Sequence, residues 1–390
     1  MIKLIKSTFY KENETKKELI EFIAKAKILS FSKECEKFEE NFSKWQGRKF
    51  CIFLNSGSSA NLAIIQALLN LGRLKKGDNV GFSALTWSTN VMPLIQLGLN
   101  PIPIDVEIDT LNVSSKKLTD LLKKQKIKLL FITNLLGFCE DIDEIRDICE
   151  ENKIIFIEDN CESLGTVYKR KKLGNYGLAS TNSFYVGHHL STIEGGGICT
   201  DDEELATMLK LVRAHGWDRN LTFAKQTEIR QKFQINSEFY SRYTFYDLGY
   251  NFRPTEINGF IGNTQLSYID EIILKRNKNF LKIAESIYKS DLFYVIKYKH
   301  IDLVSNFAIP IICKTEDIKD RFVEKCKDKL EIRPIVGGDI TQQPFFNKYV
   351  SGNVYSCSNA KVIHEQGFYF GNNPELSEEE IDEILNTFKD

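Results

Sequence analysis

The run Phe50-Cys51-Ile52-Phe53-Leu54-Asn55-Ser56-Gly57-Ser58-Ser59-Ala60-Asn61 sets the fold class. Its five apolar residues read as a buried strand, the small polar residues as a turn, and the apolar positions on to Leu71 as a helix. A helix that starts just after a strand is a ready anion site, because its first N–H groups are unpaired and its dipole is positive there. The same residues also fit a plain helix cap made by Ser58 or Ser59.

Outward from this unit the pattern repeats. Short apolar runs at Asn79–Ser83, Pro101–Asp105, Leu129–Thr133 and Ile154–Ile157 alternate with helical periodicity. Alternation at this spacing predicts an α/β domain around a largely parallel sheet. Upstream, Leu19, Ile20, Phe22, Ile23, Phe38 and Phe42 are spaced as on amphipathic helices within residues 12–46. Downstream, Glu203–Ala214 reads as a helix and the polar section 218–247 as a loop over a site. Pro254 stands near the start of another helix. Residues 268–285 read as a long connecting helix, and 290–390 as a smaller α+β unit closing with a helix after Ser377. The predicted division is a large domain, 1–270, that includes the N-terminal helical segment, and a small C-terminal domain, 271–390.

A chain of 390 residues can bury a large core. Fifty-two basic and 53 acidic side chains leave no net field, so composition gives no reason to expect nucleic acid or an anionic membrane as partner. Met1-Ile2-Lys3-Leu4-Ile5-Lys6 carries no apolar stretch of signal-peptide length, and Leu129 to Phe138 is too short to span a bilayer. Nine cysteines occur with no C-x-x-C or C-x-C pair, which suggests neither a zinc ribbon nor an iron–sulfur cluster. The expectation is a cytoplasmic protein with no metal.

Three further stretches carry chemistry. Trp87, just past a strand and among hydroxyl and amide residues, could stack on a flat ring or belong to the core. Glu158-Asp159-Asn160-Cys161-Glu162-Ser163 ends a strand, where open α/β sheets place ligands. A carboxylate there can hold a proton on a ring nitrogen, bind a metal or cap a turn. Ser183-Phe184-Tyr185-Val186-Gly187-His188-His189-Leu190-Ser191-Thr192-Ile193-Glu194-Gly195-Gly196-Gly197 opens like a buried strand, crosses two histidines and ends in three glycines.

Taken in order, the phosphate-loop pattern, Trp87, Asp159, the Ser183 to Gly197 stretch and Gly249-Tyr250-Asn251-Phe252-Arg253 resemble the DegT/DnrJ/EryC1/StrS family. That family comprises pyridoxal-phosphate (PLP) sugar aminotransferases with the fold of aspartate aminotransferase, fold type I. The likeness runs from about residue 30 to the C-terminus. It implies that Gly57, Ser58 and Ser183 contact the cofactor phosphate, that Trp87 stacks on the pyridine ring, and that Asp159 pairs with the ring nitrogen. Glu162 stands where these aminotransferases usually have Gln or His beside the ring hydroxyl. Asn251, with Arg253, would reach the cofactor phosphate of a neighbouring subunit, making a homodimer with shared active sites.

One position departs from the family. Its Schiff-base lysine stands six residues before the Glu of Glu194-Gly195-Gly196, and here that position is His188. Imidazole cannot make the covalent link that a lysine amine makes. The departure resembles the family's sugar 3-dehydratase branch, and implies PLP or pyridoxamine phosphate (PMP) held noncovalently. The implied reaction is 3-deoxygenation of a nucleotide-linked 4-keto-6-deoxy sugar, GDP-4-keto-6-deoxy-D-mannose above others, in surface-polysaccharide biosynthesis. L-glutamate would regenerate PMP, and His188, titrating near neutrality when unperturbed, suits a general base. His215, Glu331 and Arg333 are candidate contacts to substrate; His215 is equally read as packing, and His189 as a structural neighbour. A related dehydrase carries a cysteine-ligated [2Fe–2S] cluster just after this region, but His215 to Leu221 holds no cysteine, so no iron–sulfur reductase partner is expected. The alternatives are a sugar aminotransferase relative and a non-catalytic regulatory homologue.

Overall fold

The computed structural model describes residues 1–350 and 356–389. Seven strands form the main sheet: β1 (Phe50–Leu54), β2 (Asn79–Ser83), β3 (Asn100–Ile104), β4 (Leu129–Thr133), β5 (Ile155–Asp159), β8 (Ala179–Ser183) and β9 (Gly196–Thr200). Between them β6 (Val167–Tyr168) and β7 (Lys171–Lys172) make a two-stranded ribbon. The sheet order is β1-β9-β8-β5-β4-β2-β3. From β8 through β5, β4 and β2 to β3 the pairing is parallel, while β9 is antiparallel to both its neighbours. The carboxyl ends of six strands and the start of β9 therefore share one edge.

The strands are apolar on both faces because both are covered. Leu129 and Phe131 of β4 enter one core with Val80, Phe82 and the helix Gly57–Asn70. Leu130 and Ile132, pointing the other way, enter a second core with Ile102 and Ile104. That second core continues into a three-stranded antiparallel sheet, β10 (Ala308–Ile312), β12 (Gly367–Gly371) and β11 (Ile332–Pro334), and into the helix Ile269–Ile287 through Phe280 and Ile283. Residues on both sides of position 270 thus share one core. The closing helix Glu378–Thr387 is capped by Ser377, which accepts from Glu380 N–H while the Glu380 side chain accepts from Ser377 N–H.

The architecture is the expected α/β one, with three local differences. The strand entering the two-histidine stretch is Ala179–Ser183, so the histidines lie on the β8–β9 connection rather than on a strand. Its Ala-Ser-Thr-Asn-Ser sequence is buried throughout yet shows no apolar alternation. Residues 218–247 are not simply a loop, since they contain the helices Phe223–Lys232 and Glu238–Ser241. Finally, the helix Glu12–Lys25 forms, but Ile20 and Ile23 are exposed and Phe22 instead stacks on Phe260 with ring centres 4.4 Å apart.

Candidate active site

The shared edge of the sheet opens into a pocket of about 490 Å³. Gly57, Ser58, Trp87, Asp159, Glu162, Ser183, His188, Glu331 and Arg333 all line it. A more open groove of about 640 Å³, between the helix Lys33–Gln46 and β1, contains none of them.

The loop that opens the pocket follows from β1. Ser56, not Ser58 or Ser59, is the helix cap: its Oγ accepts from Ser59 N–H at 3.0 Å, and its carbonyl accepts from Ala60 N–H. The Gly57 and Ser58 N–H groups are left for an anion at the start of a 14-residue helix. Glycines bring three strands together here. A Cβ on Gly196 would lie 2.1 Å from the Ser56 carbonyl oxygen, and one on Gly57 would lie 2.8 Å from Ser183 Cβ. Any side chain at either place would push the loop off the sheet edge.

Asp159 ends β5 and is buried. Its Oδ2 accepts from Asn61 and Asn90, and its Oδ1 from Cys161 N–H at 2.9 Å. Every one of these donors is neutral, so the buried carboxylate suits an added N–H⁺ partner. Trp87 is 51% exposed and lines the pocket, so it is not a core residue. Glu162 is buried and accepts from Leu136 N–H at 3.0 Å. Burial, aided by the charge of Asp159, raises it to about 8, so near neutrality its carboxyl is mostly protonated and can donate. An anion cradle, a flat aromatic face, an unpaired buried carboxylate and a protonated carboxyl beside it are a donor set that fits a phosphorylated pyridine. Among the described residues no group of three or more His, Cys, Asp and Glu could hold a metal ion.

His188 sits on the turn after β8, where its N–H donates to the Tyr185 carbonyl at 2.9 Å. Burial first, then the positive charge of Arg276, lower it to about 4. Its Nδ1 has no partner. Among the described residues no lysine lines the pocket. Lys172, the nearest upstream, donates to the Trp45 carbonyl and lies over the Trp45 ring. His189 turns away from this pocket into the interior.

Two candidates reach the pocket from the smaller sheet. Arg333 pairs with Glu331, whose other oxygen accepts from Leu4 N–H at 3.0 Å. Three others do not reach it. His215 packs edge-on against Trp217, and its N–H donates to the Tyr250 carbonyl at 2.7 Å. Asn251 is exposed and accepts from Arg253 Nε at 2.9 Å. None of the three lines the pocket of its own chain.

Sequence reasoning passed over Asn61 and Asn90, which hold Asp159, and Tyr185, Phe307 and Tyr369 in the pocket wall. Only Asn61 carries a signal, by its position one turn into the helix Gly57–Asn70.

The profile of the DegT/DnrJ/EryC1/StrS aminotransferase family matches residues 10–389. The chain belongs to this family. A GDP-4-keto-6-deoxy-D-mannose 3-dehydratase from Escherichia coli O55:H7 is 34% identical over 95% of this chain and 95% of its own length. The enzyme of that name from Yersinia pseudotuberculosis is also 34% identical, over 97% of this chain and 96% of its own. Among solved structures, GDP-4-keto-6-deoxymannose-3-dehydratase with a trapped PLP-glutamate geminal diamine superposes with a TM-score of 0.90. It is 32% identical and covers all of both chains. The fold is therefore that of the PLP fold type I enzymes. Among the described residues no helix is long and apolar enough to cross a membrane.

Proposed function

We propose that this chain is a PLP/PMP-dependent 3-dehydratase of a nucleotide-linked 4-keto-6-deoxy sugar, with GDP-4-keto-6-deoxy-D-mannose as substrate and L-glutamate as amine donor. The observation that carries this reading is the replacement of a lysine by His188 in a pocket otherwise built for the cofactor. The similarity to the two 3-dehydratases supports the substrate and the donor.

Gly57 and Ser58 N–H, with Ser183, would hold the cofactor phosphate; Trp87 would cover the ring; Asp159 would hold the proton on its nitrogen; Glu162 would donate to its hydroxyl. Bound in its amine form, the cofactor would supply a primary amine for the sugar ketone, its nitrogen leaving in the end as ammonia, and a ring that accepts electrons. His188, unprotonated near neutrality, takes a proton from carbon. The imidazolium so formed, made more acidic by burial and by Arg276, would pass that proton to the departing C3 hydroxyl, which leaves as water. Glu331 and Arg333 face the substrate end of the pocket, where Arg333 presents a fixed fork to hydroxyl or phosphate oxygens.

Asn251 and Arg253 belong to the reading as groups given to a second subunit, since both lie outside their own chain's pocket. Exposed Phe239, Tyr240, Tyr243 and Leu248 nearby supply apolar surface for such a homodimer. His215 stays with packing against Trp217. We also take 1–270 and 271–390 as the two domains. The cytoplasm is the proposed setting, consistent with nine free cysteines.

The test is incubation with PLP, glutamate and a panel of nucleotide 4-keto sugars. Mass spectrometry should show a 3-deoxy-4-keto product and 2-oxoglutarate, with one ammonia released per turnover. Borohydride should leave the protein unlabelled; a 4-amino product or a stable lysine adduct would remove the dehydratase assignment.

A further inference from the structure

His188 lines two spaces at once. In front is the pocket; behind is a small cavity of about 30 Å³ that His188 shares with His189 and Arg276.

Arg276 comes from the middle of the helix Ile269–Ile287 and is 6% exposed. Its Nη2 donates to the His188 carbonyl at 3.2 Å, and its Nη1 donates to the Asn372 carbonyl at the end of β12. Asn372 Nδ2 returns a bond to the Arg276 carbonyl at 2.8 Å. Arg276 Nε, His188 Nδ1 and both ring nitrogens of His189 are buried without partners. Buried arginines ordinarily meet a carboxylate. Here none of the described carboxylates pairs with Arg276, and burial alone brings its guanidinium down to about 9. It is thus still charged near neutrality. A buried, uncompensated cation bonded to the backbone of the base is an expensive arrangement to keep for packing alone.

We propose that Arg276 is a positioning residue for His188: from behind the pocket it fixes the histidine's main chain and holds an unbalanced positive charge against the ring, so the ring stays a free base. The proposal rests on the reading that His188 is the base, yet the ionisation of the ring can be read without any turnover.

The other charged groups around this wall do not replace Arg276. His189, on the same turn, is itself driven well below its ordinary value by burial and by Arg276. From the N-terminal segment Tyr10 faces the cavity, but its hydroxyl is engaged with Glu271 and Lys275 of the long helix. From the turn after β12, Glu375 is exposed and accepts from Ser7 Oγ at 2.9 Å. On the pocket side stand Asp159, Glu162, Glu194, Tyr185 and Tyr369, with Arg333 paired to Glu331. Carboxylates there would raise the imidazole; burial lowers it first, and the cation behind it adds to that lowering.

The test uses the full chain labelled with ¹³C,¹⁵N-histidine, the His188 signals being assigned by their loss in His188→Asn. In the wild type the His188 midpoint should lie well below that of free histidine. Arg276→Gln, which keeps a donor for the carbonyl but no charge, should raise it by about one pH unit or more, and Arg276→Lys should hold it low. Asn373→Asp, which adds a carboxylate to the cavity wall without touching Arg276, should also raise it and stands in should Arg276→Gln fail to fold. With the cofactor bound, the acid limb of kcat/KM should move up in parallel. Unchanged His188 midpoints in Arg276→Gln, or in Asn373→Asp where that is the variant that folds, would overturn the proposal. Absence of dehydration with shifted midpoints would instead count against the proposed function and leave the role of Arg276 standing.

Discussion

Asn90 Nδ2 donates to Asp159 Oδ2 at 2.7 Å, and Asn61 Nδ2 donates to the same oxygen at 3.0 Å. Two amides thereby aim a carboxylate without neutralising it, and its charge is left for a ligand. Asp159→Asn should weaken cofactor binding by about 10- to 100-fold, the worth of one charge-assisted hydrogen bond. Asn90→Ala, which loosens the carboxylate but keeps it, should weaken binding by roughly 10-fold at most. Titration of the apoprotein with PLP, followed by absorbance, measures both; equal affinities in all three proteins would place Asp159 outside the cofactor site.

Glu162 gives a pH signature in the apoprotein. Its folded value, about 8, lies above the ordinary carboxyl value of 4.5, so the folded state binds its proton more tightly. This contribution is complete below about pH 4.5, declines as pH rises, and is gone above about 8. Urea melts of wild type and Glu162→Gln should therefore diverge over that window, with the wild type losing on the order of a few kcal/mol relative to the variant. Parallel curves would mean the carboxyl is ionised in the folded protein.

His188→Lys returns an amine to the position. Borohydride should then fix the cofactor to the chain, read by mass spectrometry, and dehydration should fall by about 100-fold or more as the base is lost. Undiminished dehydration would show that another group moves the proton.

Shared sites have a test by mixing. His188→Asn and Asn251→Ala should each be nearly inactive alone. After joint unfolding and refolding in equal amounts, a dimer with one chain of each kind carries one intact site. Activity should return to about a quarter of the wild-type level on random pairing. No recovery would keep Asn251 in its own chain's chemistry, whereas an Asn251→Ala protein active by itself would place Asn251 outside the site.

What could be read from the sequence was whatever lies next to its own partner along the chain. Gly57 and Ser58 follow a strand and open a helix, and Asp159 ends a run of apolar residues, so position alone marked them. Arg276 and Tyr369 carry no such mark, because the pocket wall they support is assembled from a helix and a strand of another sheet. The helix Phe223–Lys232 is not legible for a different reason: it buries no side chain, so it has no apolar stripe to see. Strand β8 was misplaced because small hydroxyl and amide side chains, packed tightly between two neighbours, give no alternation.

The connection from β8 to β9 is tied at several points: Phe184 N–H to the Gly195 carbonyl, Thr192 N–H to the Phe184 carbonyl, and Asn258 Nδ2 to the carbonyls of Thr192 and Glu194. All of these bonds involve main-chain atoms of the hairpin, and none uses the side chain at 188. These ties do not depend on the side chain at 188. A change of chemistry at this position would therefore not have to rebuild the hairpin that presents it.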